Sequence, residues 1–117
     1  LFNIMPRIRE VDAALRADPA AAARVFESHP ELAFCRLNGG VPPPPKKTAE
    51  GVAARRLLLV GAGLAAADRP PRGAGIDDVL DALACATVAR RLYHGEAQSF
   101  PDRPPRDAHG LPIAIWT

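Results

Sequence analysis

The chain predicts an α/β fold, and three observations carry that expectation. Apolar residues recur at helical spacing in three separate stretches. Two short stretches, residues 24–28 and 111–116, have the β-branched, aromatic or alternating character of strands. Connectors rich in proline and glycine divide these stretches from one another. One or two short strands do not make a self-sufficient sheet. The expected architecture is therefore the back half of an α/β domain, with its front strands elsewhere or absent.

The first helix is expected over residues 4–17. Ile4, Ile8, Val11 and Leu15 share one face, and Arg7, Arg9, Glu10 and Arg16 lie outside it. Pro6 suits a first turn, and Asp18-Pro19 ends the helix because a residue before proline is driven out of the α region. Arg24-Val25-Phe26-Glu27-Ser28 reads as a short strand, followed by one or two helical turns over residues 31–37 that close at Asn38-Gly39-Gly40. Pro42 to Pro45 form a rigid extended connector. Thr48 then caps a helix running to about Ala62. Gly51 inside it costs roughly 1 kcal/mol against alanine, which marks close packing or close approach to a ligand. Gly61 and Gly63 end that helix, and residues 65–73 form a loop rich in proline and arginine. A long helix follows from Ile76 to about His94, with Arg90, Arg91 and His94 suiting its C-terminal dipole and Gly95 its C-cap. Residues 99–107 read as a loop. Residues 111–116 read as an edge strand, since Pro112 cannot donate to a ladder.

With 117 residues the chain is one domain at most. A net charge of +2 is too small to predict a nucleic-acid partner by itself. Cys35 and Cys85 lack zinc-type or redox-type spacing and read as reduced core thiols, which suits the cytoplasm. No membrane span or signal peptide is visible. The chain starts at Leu1 without an initiator methionine, which suggests a fragment or a gene product that has lost its beginning.

The long helix carries the chemistry. Ile76, Val79, Leu80, Leu83 and Thr87 fall on one side of its wheel; Asp77, Asp78, Asp81 and Cys85 fall on the other. Acids in a first turn stabilise a helix against its own dipole while remaining solvated. Clustered carboxylates are also what hard divalent cations require. Spacing alone favours the first reading.

Several segments, in order, resemble the predicted RNase H-like nucleases catalogued as domain of unknown function 429. They are Phe2-Asn3-Ile4 leading to Glu10-Val11-Asp12, then Glu27-Ser28-His29-Pro30-Glu31 with Phe34, then Leu37-Asn38-Gly39-Gly40. Lys46-Lys47-Thr48 with Gly51 and Arg55-Arg56 follow, and then Asp77-Asp78-Val79-Leu80-Asp81-Ala82-Leu83-Ala84. The tail Arg106-Asp107-Ala108-His109-Gly110-Leu111 with Ile115-Trp116 matches as well. The resemblance implies that residues 1–117 are the C-terminal part of an RNase H-like domain, a mixed sheet with helices on both faces. It also implies phosphodiester hydrolysis by a two-metal carboxylate site holding Mg²⁺ or Mn²⁺ ions about 4 Å apart. On that resemblance Glu27, Asp78 and Asp81 are the catalytic acids. Glu31 and Asp77 join them as metal ligands, Glu31 as alternative to Glu27. Lys46, Lys47, Arg55 and Arg56 would contact the phosphates of a nucleic acid.

The chain also departs from the family pattern. The first-strand acid, in a Gly-Val-Asp-Gly-like sequence, does not occur here. The expectation is a nuclease half-site active only with an N-terminal half. The alternative is a non-catalytic remnant or interaction domain whose sheet edge invites self-association.

Overall fold

Proline and its neighbours set the boundaries at the start of the chain. In a computed structural model, which describes residues 3–65 and 69–117, helix α1 spans Met5–Ala17 with proline in its first turn. It stops where Asp18 turns extended (φ −130°, ψ 95°). That same Asp18 starts the four-residue α2, Pro19–Ala22: its Oδ1 accepts the amides of Ala20 and Ala21 at 2.9 and 3.1 Å. The sequence carried little signal there beyond this cap.

The chain forms two units. Leu1–Glu27 with Ser99–Ile115 make the first, and Ser28–Gln98 with Trp116–Thr117 make the second. In the first, α1 has no buried residue. Its polar side carries the pairs Arg7–Glu10 (2.8 Å) and Arg16–Asp12 (3.2 Å). The loop after residue 100 is organised by Asp107, whose Oδ1 accepts the amides of His109 (2.8 Å) and Leu111 (2.9 Å), an Asx-type turn that Gly110 completes at φ +81°.

Among its described residues the second unit is three helices around an apolar centre: α3 (Pro30–Leu37), α4 (Ala49–Gly61) and α5 (Ile76–His94). Ala33 and Phe34 from α3, Leu59 from α4, and Leu80, Ala84 and Val88 from α5 form the core. The buried face of α5 thus runs through Leu80, Ala84, Thr87 and Val88, one position round from the face the wheel picked out. Caps are as the residues dictate. Thr48 Oγ1 accepts the Gly51 amide at 3.0 Å, and Gly95 takes the left-handed conformation (φ +72°) that ends α5. Gly51 is a packing glycine: a Cβ there would lie 2.0 Å from the Pro45 carbonyl oxygen, so only glycine lets the proline connector lie against α4.

Among the described residues the fold is mixed α/β, mostly helical, with one small antiparallel sheet of β1 (Ser99–Phe100) and β2 (Ile115–Trp116). Three expectations need correction. The strand predicted at 24–28 is reduced to a single parallel bridge from Ser28 to Trp116, because β2 offers it only two residues of edge. The strand predicted at 111–116 shortens to its last two residues, since Pro112 lacks an amide hydrogen and reaches only an isolated bridge with Arg106. Conversely, Ser99–Phe100, predicted as loop, pairs as β1, continuing from two backbone hydrogen bonds exchanged by Gln98 and Thr117 (3.0 and 2.9 Å). Phe2 and part of the 65–73 loop lie outside the described residues.

Candidate functional site

The acids of α5 sit where helix physics places them. Gly75 precedes the helix in extended conformation and brings no side chain to cap it. Asp78 reaches back instead, its Oδ2 accepting the Gly75 amide at 2.8 Å. Asp77 folds over the same glycine. A Cβ at Gly75 would lie 2.4 Å from Asp77 Oδ1 and 3.3 Å from Asp78 Oδ2, so the two carboxylates converge above an unsubstituted backbone. Both residues are exposed at the positive end of α5, an arrangement that stabilises their charge. One turn on, Asp81 is half-buried and paired with Lys46 Nζ at 3.3 Å. With 39% and 28% of those side chains exposed, that pair contributes at most about 1 kcal/mol. Burial and the neighbouring Asp81 carboxylate push the Cys85 thiol above its ordinary range, against a smaller pull from Ser28, so it is a poor nucleophile.

Glu31 and Arg55 form a second, separate arrangement. Arg55 is 2% exposed. Its Nη2 donates to Glu31 Oε2 at 2.7 Å, and its Nη1 to the carbonyls of Pro44 (2.7 Å) and Gly51 (3.0 Å). The guanidinium also lies 5.3 Å from the centre of the Phe34 ring. The residue expected to meet phosphate instead ties α3, α4 and the proline connector together. The sequence held a signal for this: Gly51, Arg55 and Leu59 follow one another at four-residue spacing, and all three are buried. Lys47 is exposed and Arg56 half-buried.

The structure thus brings Asp77, Asp78, Asp81 and Lys46 together on one stretch of surface and commits Glu31 to Arg55. Glu27, exposed, belongs to the other unit. Among the described residues no three His, Cys, Asp or Glu side chains gather closely enough to hold a metal ion. A two-metal centre takes more clustered carboxylates than the described residues bring together.

A family model described as "Protein of unknown function (DUF429)" matches residues 1–106, nine-tenths of the chain. The chain belongs to this family. No curated protein and no solved structure matches this DUF429 chain. None of its described helices is long and apolar enough to cross a membrane.

Proposed function

We propose that this DUF429 chain carries one side of a phosphodiester-hydrolysing centre of the RNase H-like kind, built on the first two turns of α5. The observation that carries this reading is the convergence of Asp77 and Asp78 over Gly75, with Asp81 one turn further along the same helix. Mg²⁺ or Mn²⁺ is the cofactor such a centre takes, and it would supply charge neutralisation and an activated water. Among the described residues the carboxylates do not gather into a complete metal site, so on this reading hydrolysis draws on further acids. Glu27 is one candidate; Glu31 would first have to leave Arg55. Lys46, which pairs with Asp81, and exposed Lys47 next to it would meet the phosphates of a nucleic-acid substrate on this reading. The site belongs to a cytoplasmic enzyme on this reading.

Thermal unfolding with and without millimolar Mn²⁺ tests the proposal, wild type beside an Asp78→Asn, Asp81→Asn double variant. Metal should raise the melting temperature of the wild type alone. Equal responses in the two proteins would sink the reading. A second reading, a non-catalytic interaction domain, has its own observation: Ile4, Ile8 and Val11 stand half exposed along one face of α1. It gains if the melt ignores metal and sedimentation shows self-association.

A further inference from the structure

Helix α3 ends in a Schellman motif. The Gly40 amide donates to the Cys35 carbonyl (2.8 Å), and the Gly39 amide donates to the Arg36 carbonyl (3.2 Å). Gly39 and Gly40 take φ of +68° and +89°, values that a side chain resists. Asn38, the cap residue, is half-buried, and its Nδ2 donates to the Val41 carbonyl at 2.9 Å.

An asparagine followed by glycine is chemically labile, because the next amide nitrogen can attack Cγ and glycine sets no side chain in the way. A Cβ at Gly39 would meet nothing within 4 Å, and the residue is exposed. In the reaction a bond forms between Gly39 N and Asn38 Cγ, the nitrogen gives up its proton, and Nδ2 leaves as ammonia. Water then opens the ring at either carbonyl and yields aspartate or isoaspartate. Solvent supplies the only co-reactant. The cap holds both reacting groups off this path, since the Gly39 N–H is engaged by Arg36 and the carboxamide by Val41.

We propose that Asn38 is a modification site gated by this cap: it deamidates through Gly39 when the end of α3 opens, and the product re-forms that end poorly. Helix ends open locally at far lower free energy than the whole fold. A carboxylate at position 38 cannot donate to Val41, and its charge sits at the negative end of α3. Isoaspartate also adds a carbon to the main chain, which moves Gly40 off the Cys35 carbonyl. None of this depends on the acids of α5.

The chain supplies its own control. It has two asparagines, Asn3 and Asn38, and trypsin places them in separate peptides, Leu1–Arg7 and Leu37–Lys46. The branched Ile4 crowds the nitrogen that would attack Asn3. The test incubates the whole chain at mildly alkaline pH, in buffer and in concentrated urea, and follows both peptides by mass spectrometry. In urea Asn38 should convert well ahead of Asn3. In buffer its conversion should be at least ~10-fold slower than in urea. Gly40→Ala strains the cap and should speed conversion in buffer at least ~3-fold. Urea kept below the unfolding transition gives the same readout if that variant does not fold. Asn38→Asp should lower the melting temperature by ~2 °C or more. Equal rates in buffer and urea, equal rates at the two asparagines in urea, or a rate in buffer indifferent to opening of the cap would overturn the proposal. So would an Asn38→Asp melt that matches the wild type.

Discussion

The two units of this chain use helices in opposite ways. In the second, α5 lies against α3 and α4 over a centre of Phe34, Leu59, Leu80 and Val88, each 0–1% exposed. In the first, α1 has the better-separated apolar stripe by sequence, yet Ile4, Ile8 and Val11 are 50–52% exposed and nothing on the helix is buried. Helical spacing of apolar residues therefore specifies a helix but not a core. Burial needs a second surface of matching shape, and stability follows burial more than propensity.

Substitutions that separate the units give the sharpest contrast. Phe34→Ala should cost about 3–5 kcal/mol in urea unfolding, through lost burial and the cavity left behind. Ile8→Ala on α1 should change the same midpoint by no more than about 0.5 kcal/mol. Similar losses at both positions would mean that α1 has a partner surface and would erase the contrast. Gly51→Ala comes next, at about 1–3 kcal/mol, because the new methyl meets the Pro45 carbonyl, which is backbone and cannot swing aside. Glu31→Ala should cost about 1–2 kcal/mol. It leaves Arg55 buried with carbonyl partners only, and the loss is moderated because 40% of the Glu31 side chain meets water. An Arg55→Met, Glu31→Ala double variant should be less damaged than the sum of the single changes.

The smallest effect lies in the first unit and concerns pH. The amides of Leu111 and His109, in that order, hold the Asp107 carboxyl below its ordinary value of 3.8, with minor help from His109 and Arg16 charge against a small desolvation penalty. A depressed carboxyl contributes to folding in full above its unfolded pKa and loses that contribution as pH falls through the lower folded value. Amide resonances of His109 and Leu111 should therefore shift below pH 3.8 while those of the α3–α5 core stay put. A midpoint at or above 3.8 would show that the turn does not form.

Much of the second unit was legible from residues alone. Thr48, Gly51, Gly95 and the proline connectors act through local geometry, and α3, α4 and α5 begin and end where such residues direct. The strands were legible in kind but not in extent. Val25 and Phe26 have strand character, but a strand exists only through its neighbour, and residue preference carries no record of how much edge that neighbour offers. β1 was missed for the same reason, since Ser99–Phe100 pairs only because Thr117 returns to Gln98. At the candidate site the sequence placed three acids on one helix face. It could not show that Asp78 would cap Gly75, that Asp81 would pair with Lys46, or that Glu31 would be taken by Arg55, since the last two links join residues 35 and 24 positions apart.

The proline connector illustrates what such links do. The Pro45 carbonyl accepts both the amide (3.0 Å) and the hydroxyl (2.8 Å) of Thr48, and that hydroxyl accepts the Gly51 amide. The carbonyl also fills the space beside Gly51, while Arg55 grips Pro44 one residue earlier. Residues 44–55 thus behave as a buckle rather than a linker. Loosening any one catch removes much of the reason for the others, so the energetic effects of changes at 48, 51 and 55 are expected to interact rather than add. A segment that looks on paper like a dispensable spacer is in this sense a single mechanical unit.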